Sequence, residues 1–181
     1  MTDTQIAALA GCAVLVFWAV GAYNRLVALR DDIAKAFAPV DAQVQHRHQL
    51  LMQWAQGLHA VLDQAPALYE AVLMACAQLQ SACDGLRARP GTGSAATSLR
   101  LAEEALAVAR QRLQAELPAR QQRLSGLELE VNSEQLAAAD NTLAFARSQF
   151  NAAATTYNAA IRQFPTRLVA TVFGFQAAGT L

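Results

Sequence analysis

Residues 136–164, LAAADNTLAFARSQFNAAATTYNAAIRQF, decide the fold of this 181-residue chain. A large side chain stands at every seventh position, and an alanine follows most of them three residues later. The large residues are Leu136, Leu143, Phe150, Tyr157 and Phe164, and the alanines are Ala139, Ala146, Ala153 and Ala160. Large residues alternating with alanine on one helix face let a partner helix approach closely. The stretch therefore predicts a long bundle helix that stops at Phe164-Pro165.

Three further helices precede this one, each with an apolar stripe at helical spacing. They are predicted over Tyr23–Leu62, with a kink at Pro39, over Pro66–Arg87 and over Ala95–Glu116. The connections between them are short, and the sequence has neither a strand pattern nor a linker between two cores. We therefore predict an all-α fold with one domain at residues 23–165, an antiparallel up-and-down four-helix bundle.

The most apolar part of the chain lies before the bundle. Residues Ile6–Ala22 read IAALAGCAVLVFWAVGA, and no charge occurs between Asp3 and Arg25. An apolar helix of this length can cross a hydrocarbon core of about 30 Å. We therefore predict a single transmembrane helix over residues 1–22, which anchors the protein in membrane lipid.

Two other readings of this run remain open. A cleaved signal peptide normally starts with a basic residue, and none precedes the run. Leu9-Ala10-Gly11-Cys12 is similar to a lipobox, which would make Cys12 the lipid attachment site of a periplasm-facing lipoprotein. Only a few apolar residues precede Cys12, however, and most of the run follows it. We therefore expect an uncleaved anchor.

Charges beside the run predict its orientation. Arg25, Arg30 and Lys35 follow it, and no Lys or Arg precedes it. The positive-inside rule then places the bundle in the cytoplasm, on a bacterial inner membrane.

Composition excludes several classes of function. Lys+Arg and Asp+Glu are equal at 14 each, so nucleic acid is not an expected partner. The histidines do not share a helix face with other ligands at metal spacing, and the spacing of the cysteines predicts no disulfide framework. No phosphate loop or catalytic constellation is present. We therefore expect no enzymatic activity, no cofactor and no metal.

Arg47 lies at a core position of the first helix, where a guanidinium needs a carboxylate partner. Antiparallel packing of the first and fourth helices, with Leu26 opposite Tyr157, predicts an ion pair between Arg47 and Asp140. The same register pairs Arg147 with an acidic residue of the first helix, namely Asp31, Asp32 or Asp41. Three glutamates are predicted to lie on solvated helix faces: Glu103, Glu104 and Glu116.

An aromatic residue followed by asparagine occurs three times, at Tyr23-Asn24, Phe150-Asn151 and Tyr157-Asn158. The fourth helix returns towards the membrane, so we expect the last pair to lie near the first. Such a group could form a polar recognition patch or interhelical hydrogen bonds that set helix register; we favour the second role.

Residues 166–181 form a short apolar C-terminal segment that the bundle topology places near the membrane. Its stretch Arg167–Phe175 is too short to span a bilayer. An interfacial helix and a cap on the open end of the core are both compatible with this composition.

Two blocks of the chain resemble the LemA family of bacterial membrane-anchored proteins. The first begins with Tyr23-Asn24-Arg25-Leu26-Val27 and continues to Leu50; the second runs from Ala146-Arg147 through Phe164-Pro165 to Phe173-Gly174-Phe175. The resemblance implies a bromodomain-like four-helix bundle. The sequence departs from the family pattern after Arg47, where Leu51-Met52-Gln53-Trp54 stands in place of the usual Pro-Asn pair.

Together these features predict a scaffold or adaptor that binds another membrane or envelope protein. The alternative is a structural protein that forms a homo-oligomer through alanine-rich helix faces.

Overall fold

The computed structural model describes residues 2–58, 66–116 and 126–181, with the side chains of 57–58 and 126–133 left out. The chain is all-α, as predicted. Its helices are α1 (Asp3–Leu58), α2 (Pro66–Ala88), α3 (Gly93–Glu116), α4 (Gly126–Arg162) and α5 (Thr166–Val172). The observed bounds of α2 and α3 lie within two residues of the predicted ones. The predicted end of the first helix at Leu62 lies outside the described residues.

Helix α1 joins the apolar run to the bundle without a break. It contains 56 residues, which corresponds to about 84 Å at 1.5 Å per residue. The helix continues through Pro39. Its N-terminal part is exposed, and burial begins near Ala22 and Leu26. In the described part of the chain α1 alone is long and apolar enough to cross a membrane, although a signal sequence would meet the same criterion.

The bundle is built from two closely packed helix pairs. Helix α1 packs most extensively against α4, and α2 packs most extensively against α3. Phe37 of α1 contacts Phe150 of α4 edge to face, with ring centroids 6.1 Å apart. The core contains the predicted apolar stripes, and its largest fully buried residues include Leu26, Ile33, Leu51, Leu79, Leu86, Leu99, Leu106, Leu113 and Leu143.

Phe164 departs from the predicted core stripe. Its side chain is 76% exposed. The cause is that α4 ends at Arg162, and Pro165 then starts the separate helix α5. Helix α5 packs against α1 and α4, and the following tail, residues 173–181, runs back along α4 to Asn151.

Candidate functional site

Five charged side chains form a network inside the bundle. Arg47 of α1 donates to Glu103 of α3 at 2.6 Å and to Asp140 of α4 at 3.3 Å. Arg110 of α3 also donates to Asp140, at 3.0 Å. Arg147 of α4 pairs with the second oxygen of Glu103 at 2.5 Å. The network therefore joins three helices through alternating cations and carboxylates.

The network confirms one predicted ion pair and corrects another. Arg47 contacts Asp140 as expected. Arg147 does not meet an acidic residue of α1, because Glu103 of α3 is its partner. Glu103 was expected to face solvent, yet its side chain is only 13% exposed. Two arginines from different helices hold it there, and the sequence pattern of α3 alone could not show them.

A second charged group links α1 to α2. Arg87 donates to both oxygens of Asp41, at 2.6 and 3.0 Å, and the thiol of Cys83 donates to the same carboxylate at 3.2 Å. The hydrogen bonds from Arg87 hold the pKa of Asp41 below its usual value, although burial opposes them. Burial and the adjacent Asp41 raise the pKa of Cys83 to about 12. The thiol is therefore kept protonated and is unsuited to nucleophilic chemistry.

Two asparagines of α4 hold the C-terminal tail. The side-chain amide of Asn158 donates to the carbonyl of Ala178 at 2.9 Å, and its oxygen accepts from the Ala178 amide at 2.8 Å. Asn151 makes the same pair of bonds with Leu181, at 2.6 and 2.7 Å. These contacts are neither a free recognition patch nor helix-to-helix bonds. The polar groups of the asparagines are satisfied by the backbone of the tail.

The tail fills a gap between α4 and the turn that joins α2 to α3. Ala178 forms an isolated bridge with Thr92, and the Gly179 amide donates to the Gly91 carbonyl at 3.2 Å. A Cβ on Gly179 would lie 2.8 Å from the backbone of Gly93, so the close approach requires glycine here. The tail thus closes this end of the core, which was one of the two predicted roles for residues 166–181.

Tyr23 and the pair Tyr157-Asn158 all contact the C-terminal tail. Tyr157 donates to the carbonyl of Gln176, and it lines the same small cavity as Arg30 and Ile33. Tyr23 instead packs against two tail residues, with ring centroids 4.9 Å from Phe173 and 5.7 Å from Phe175. The tail therefore connects the two pairs.

The set of predicted site residues is completed by Asn24, Phe164 and Pro165. Asn24 is exposed, and Pro165 occupies the N-cap position of α5 without a side-chain cap. Together with exposed Phe164 they lie at the same end of the bundle as Tyr23.

An apolar groove runs between the outer faces of α2 and α3. Met74, Leu101 and Val108 project into it, and Met74 is 73% exposed. Leu68 and six alanines also line it, namely Ala67, Ala71, Ala75, Ala77, Ala105 and Ala109. The groove has a volume of about 1070 Å³, and Glu104 and Arg112 also line it. The sequence analysis did not identify this groove.

Neither a cluster of metal ligands nor a cavity of ligand size beneath the tail occurs in the described part of the chain. Residues 2–58, 66–116 and 126–181 contain no group of three His, Cys, Asp or Glu side chains that could hold a metal ion. The cavity beneath the tail measures about 170 Å³. Sites for small organic ligands usually exceed about 300 Å³. The guanidinium ends of Arg47 and Arg110 pair with carboxylates, whereas the Nε atoms of both arginines and His48 Nδ1 are buried without a hydrogen-bond partner among the described residues.

Comparison with models of protein families shows to which family the chain belongs. The model of the LemA family matches residues 36–181, which include the C-terminal part of α1 from residue 36 onwards and all of α2 to α5. The chain belongs to the LemA family. The match confirms the resemblance and extends through the middle of the chain, where the sequence departs from the expected Pro-Asn pair. No curated protein is significantly similar to the chain.

For this LemA-family chain, sequence reasoning found part of the polar framework. It identified Arg47, Asp140 and the asparagines of α4 as structurally important, and it missed Glu103 and Arg110. The seven-residue spacing of Glu103 and Arg110 on α3 was a usable signal, since it places both on one face. Their partners, however, depend on how α3 lies against α1 and α4.

Proposed function

We propose that this LemA-family protein is a non-enzymatic adaptor. Helix α1 anchors it in the membrane, and the groove between α2 and α3 binds an amphipathic helix of another membrane or envelope protein. The groove is the observation that supports this role. Contiguous exposed apolar surface on a folded domain usually marks an interaction site.

The spacing of the groove residues favours a helical ligand. Ala67, Ala71, Met74 and Gln78 recur at intervals of four, three and four residues on α2. Leu101, Ala105, Val108 and Arg112 repeat the same intervals on α3. Two such seams side by side offer the holes into which the apolar residues of a third helix pack. Each seam spans about 16 Å, or three helical turns.

Glu104 and Arg112 give the groove one charge of each sign. They lie two turns apart on α3, so they favour a ligand helix with opposite charges at the matching ends. Such charges select orientation and partner more than they add affinity.

The length of α1 between the apolar run and Arg47 determines how far the groove lies from the anchor. Arg47 lies about 36 Å beyond Tyr23 along α1, and it contacts Glu103, which is close to the groove residue Leu101. The adaptor would therefore present its binding site well away from the bilayer. Arg25, Arg30 and Lys35, which follow the anchor, support placing the bundle on the cytoplasmic side of a bacterial inner membrane.

Photo-crosslinking in native membranes tests the groove. A photoreactive amino acid replaces Met74 in the full chain, and a second variant carries it at Phe145 as a control. Phe145 is also an exposed apolar residue, 66% exposed, but it lies on α4. We expect a discrete adduct with a different membrane protein from position 74 alone, mapped to an amphipathic helix of that protein. Leu101→Glu in the same chain should abolish the adduct.

Self-association is the second candidate, and the alanines of the groove favour it. A second copy of α2 and α3 could place its own alanine ridges against this surface. An adduct with twice the mass of the chain, formed from Met74 and lost with Leu101→Glu, would support the homo-oligomer and overturn the adaptor. Equal adducts from positions 74 and 145 would refute both uses of the groove.

A further inference from the structure

Helix α5 has a second apolar face that the bundle does not cover. Its inner face is buried and consists of Thr166, Val169 and Ala170. On the outside, Phe164, Leu168 and Val172 follow one another at four-residue intervals, and Val172 is 79% exposed. Leu168 and Val172 are one turn apart on α5 and form an outward stripe, and the exposed Phe164 lies in the turn just before that helix.

This stripe lies beside the point where α1 leaves its exposed apolar run. Phe173, which is itself exposed and follows Val172 directly, packs on Tyr23 of α1 with ring centroids 4.9 Å apart. Tyr23 comes directly after the apolar run Ile6–Ala22. The outward stripe of α5 is therefore continuous with the apolar surface of the anchor helix, rather than with the groove between α2 and α3.

Exposed basic residues surround the same end of the bundle. Arg25 lies on α1, Arg162 ends α4, and Arg167 lies in the first turn of α5. Arginines with long aliphatic stems can keep their charge among lipid headgroups while neighbouring apolar side chains insert more deeply. Apolar side chains beside arginines are typical of a helix that lies in a membrane interface.

We propose that the outward face of α5 is a second lipid-binding site, which inserts into the headgroup region of the bilayer that α1 crosses. Phe164, Leu168, Val172 and Phe173 supply the apolar contact. This inference rests on the proposed membrane anchor. Interfacial helices bury their apolar face to a depth of about 5–10 Å. Two contacts, one through α1 and one through α5, fix the tilt and rotation of the bundle relative to the membrane.

Paramagnetic relaxation caused by a spin-labelled lipid tests this contact. It is measured by NMR on the full chain in lipid nanodiscs. The nanodiscs contain zwitterionic and anionic phospholipids, with a nitroxide near the glycerol end of one acyl chain. Amide signals of Leu168, Val172 and Phe173 should lose intensity as strongly as that of Val20 in the anchor. Phe145, which lies about 26 Å back along α4 from the end of that helix at Arg162, should keep its intensity.

This experiment can refute the proposed membrane anchor and the proposed lipid contact of α5 independently of each other. Loss of intensity at Val20 without loss at Leu168 and Val172 would overturn the lipid role of α5 and leave the anchor intact. Full intensity at Val20 would overturn the anchor, and the inference with it.

A charged variant provides a second measurement. Leu168→Glu with Val172→Glu should weaken the attenuation of the amides at positions 168 and 172, whereas the amides of Val20 and of Phe173, which packs on Tyr23 beside the anchor, stay attenuated. Both side chains face outward, so the substitutions leave the core intact. Phe145→Glu is the matched control and should change none of these signals. Unchanged attenuation at positions 168 and 172 in the double variant would contradict insertion of the α5 stripe.

Discussion

Replacing Glu103 by alanine tests whether the charged network holds the bundle together. Glu103 is the shared partner of Arg47 and Arg147, and the side chain of Arg47 is only 6% exposed. Without Glu103, Arg47 keeps only Asp140, which Arg110 also engages. Removing one partner of a buried ion pair leaves an uncompensated charge and costs about 3 kcal/mol or more. For a chain of this length that corresponds to a fall in Tm of roughly 6–12 °C.

The assay is thermal unfolding of the full chain in detergent micelles, followed by helical circular dichroism. Glu104→Ala is the matched control. Glu104 is adjacent in α3, but it is more than half exposed and pairs with Arg100 of its own helix. Exposed pairs of this kind contribute at most about 1 kcal/mol, so the control should change Tm little.

A double variant separates loss of the ion pair from loss of packing. Arg47→Met with Glu103→Leu removes the buried charge and its partner together, and apolar side chains take their place. Such replacements are often close to neutral. The double variant should therefore be more stable than Glu103→Ala alone. If Glu103→Ala and Glu104→Ala had the same small effect, the argument that Arg47 depends on Glu103 would be refuted.

The other predictions concern pH, topology and the tail. Burial lowers the pKa of His48 from its usual 6.5, so the folded state should lose stability as pH falls below about 6.5. His48→Gln should make the denaturation midpoint less dependent on pH between pH 7 and 5. His46→Gln, at an exposed position, should leave that dependence unchanged. A membrane-impermeant maleimide should label exposed Ser94→Cys only after cell lysis. Wild type should stay unlabelled at Cys76 and Cys83, since both are buried and burial raises the pKa of each thiol; labelling of Ser94→Cys in intact cells would put the bundle outside. Asn158→Ala removes both bonds to Ala178 and should speed amide hydrogen exchange in residues 176–181, with Asn24→Ala as control; equal exchange would show that the tail does not depend on Asn158.

Long periodic segments were the most predictable part of this molecule. The bounds of α2 and α3 came within two residues because apolar spacing, Pro66 and the Arg89–Ser94 loop mark them locally. Phe164 shows the limit of that reasoning. It continues the seven-residue pattern of α4, but the pattern does not reveal that α4 ends at Arg162 and that α5 takes another direction.

The partner of a polar residue was predictable only where the packing of a single pair of helices determined it. The Arg47–Asp140 contact followed from packing α1 against α4. The pairing of Arg147 with Glu103 did not, because it depends on the position of α3 as well. The asparagines were recognised as a pair on one face of α4. Their acceptors and donors belong to tail backbone, which carries no side-chain signal.

The sequence by itself determined the helices, the apolar run and membership of the LemA family, because these depend on residue order and local spacing. Only the tertiary structure decided which residues share an environment. It placed Glu103 between two arginines, set the tail against Asn151 and Asn158, and left two apolar surfaces uncovered, on the α2–α3 face and on α5. The physical reason is that burial and pairing depend on the relative positions of several helices, which the periodicity of any one helix does not specify.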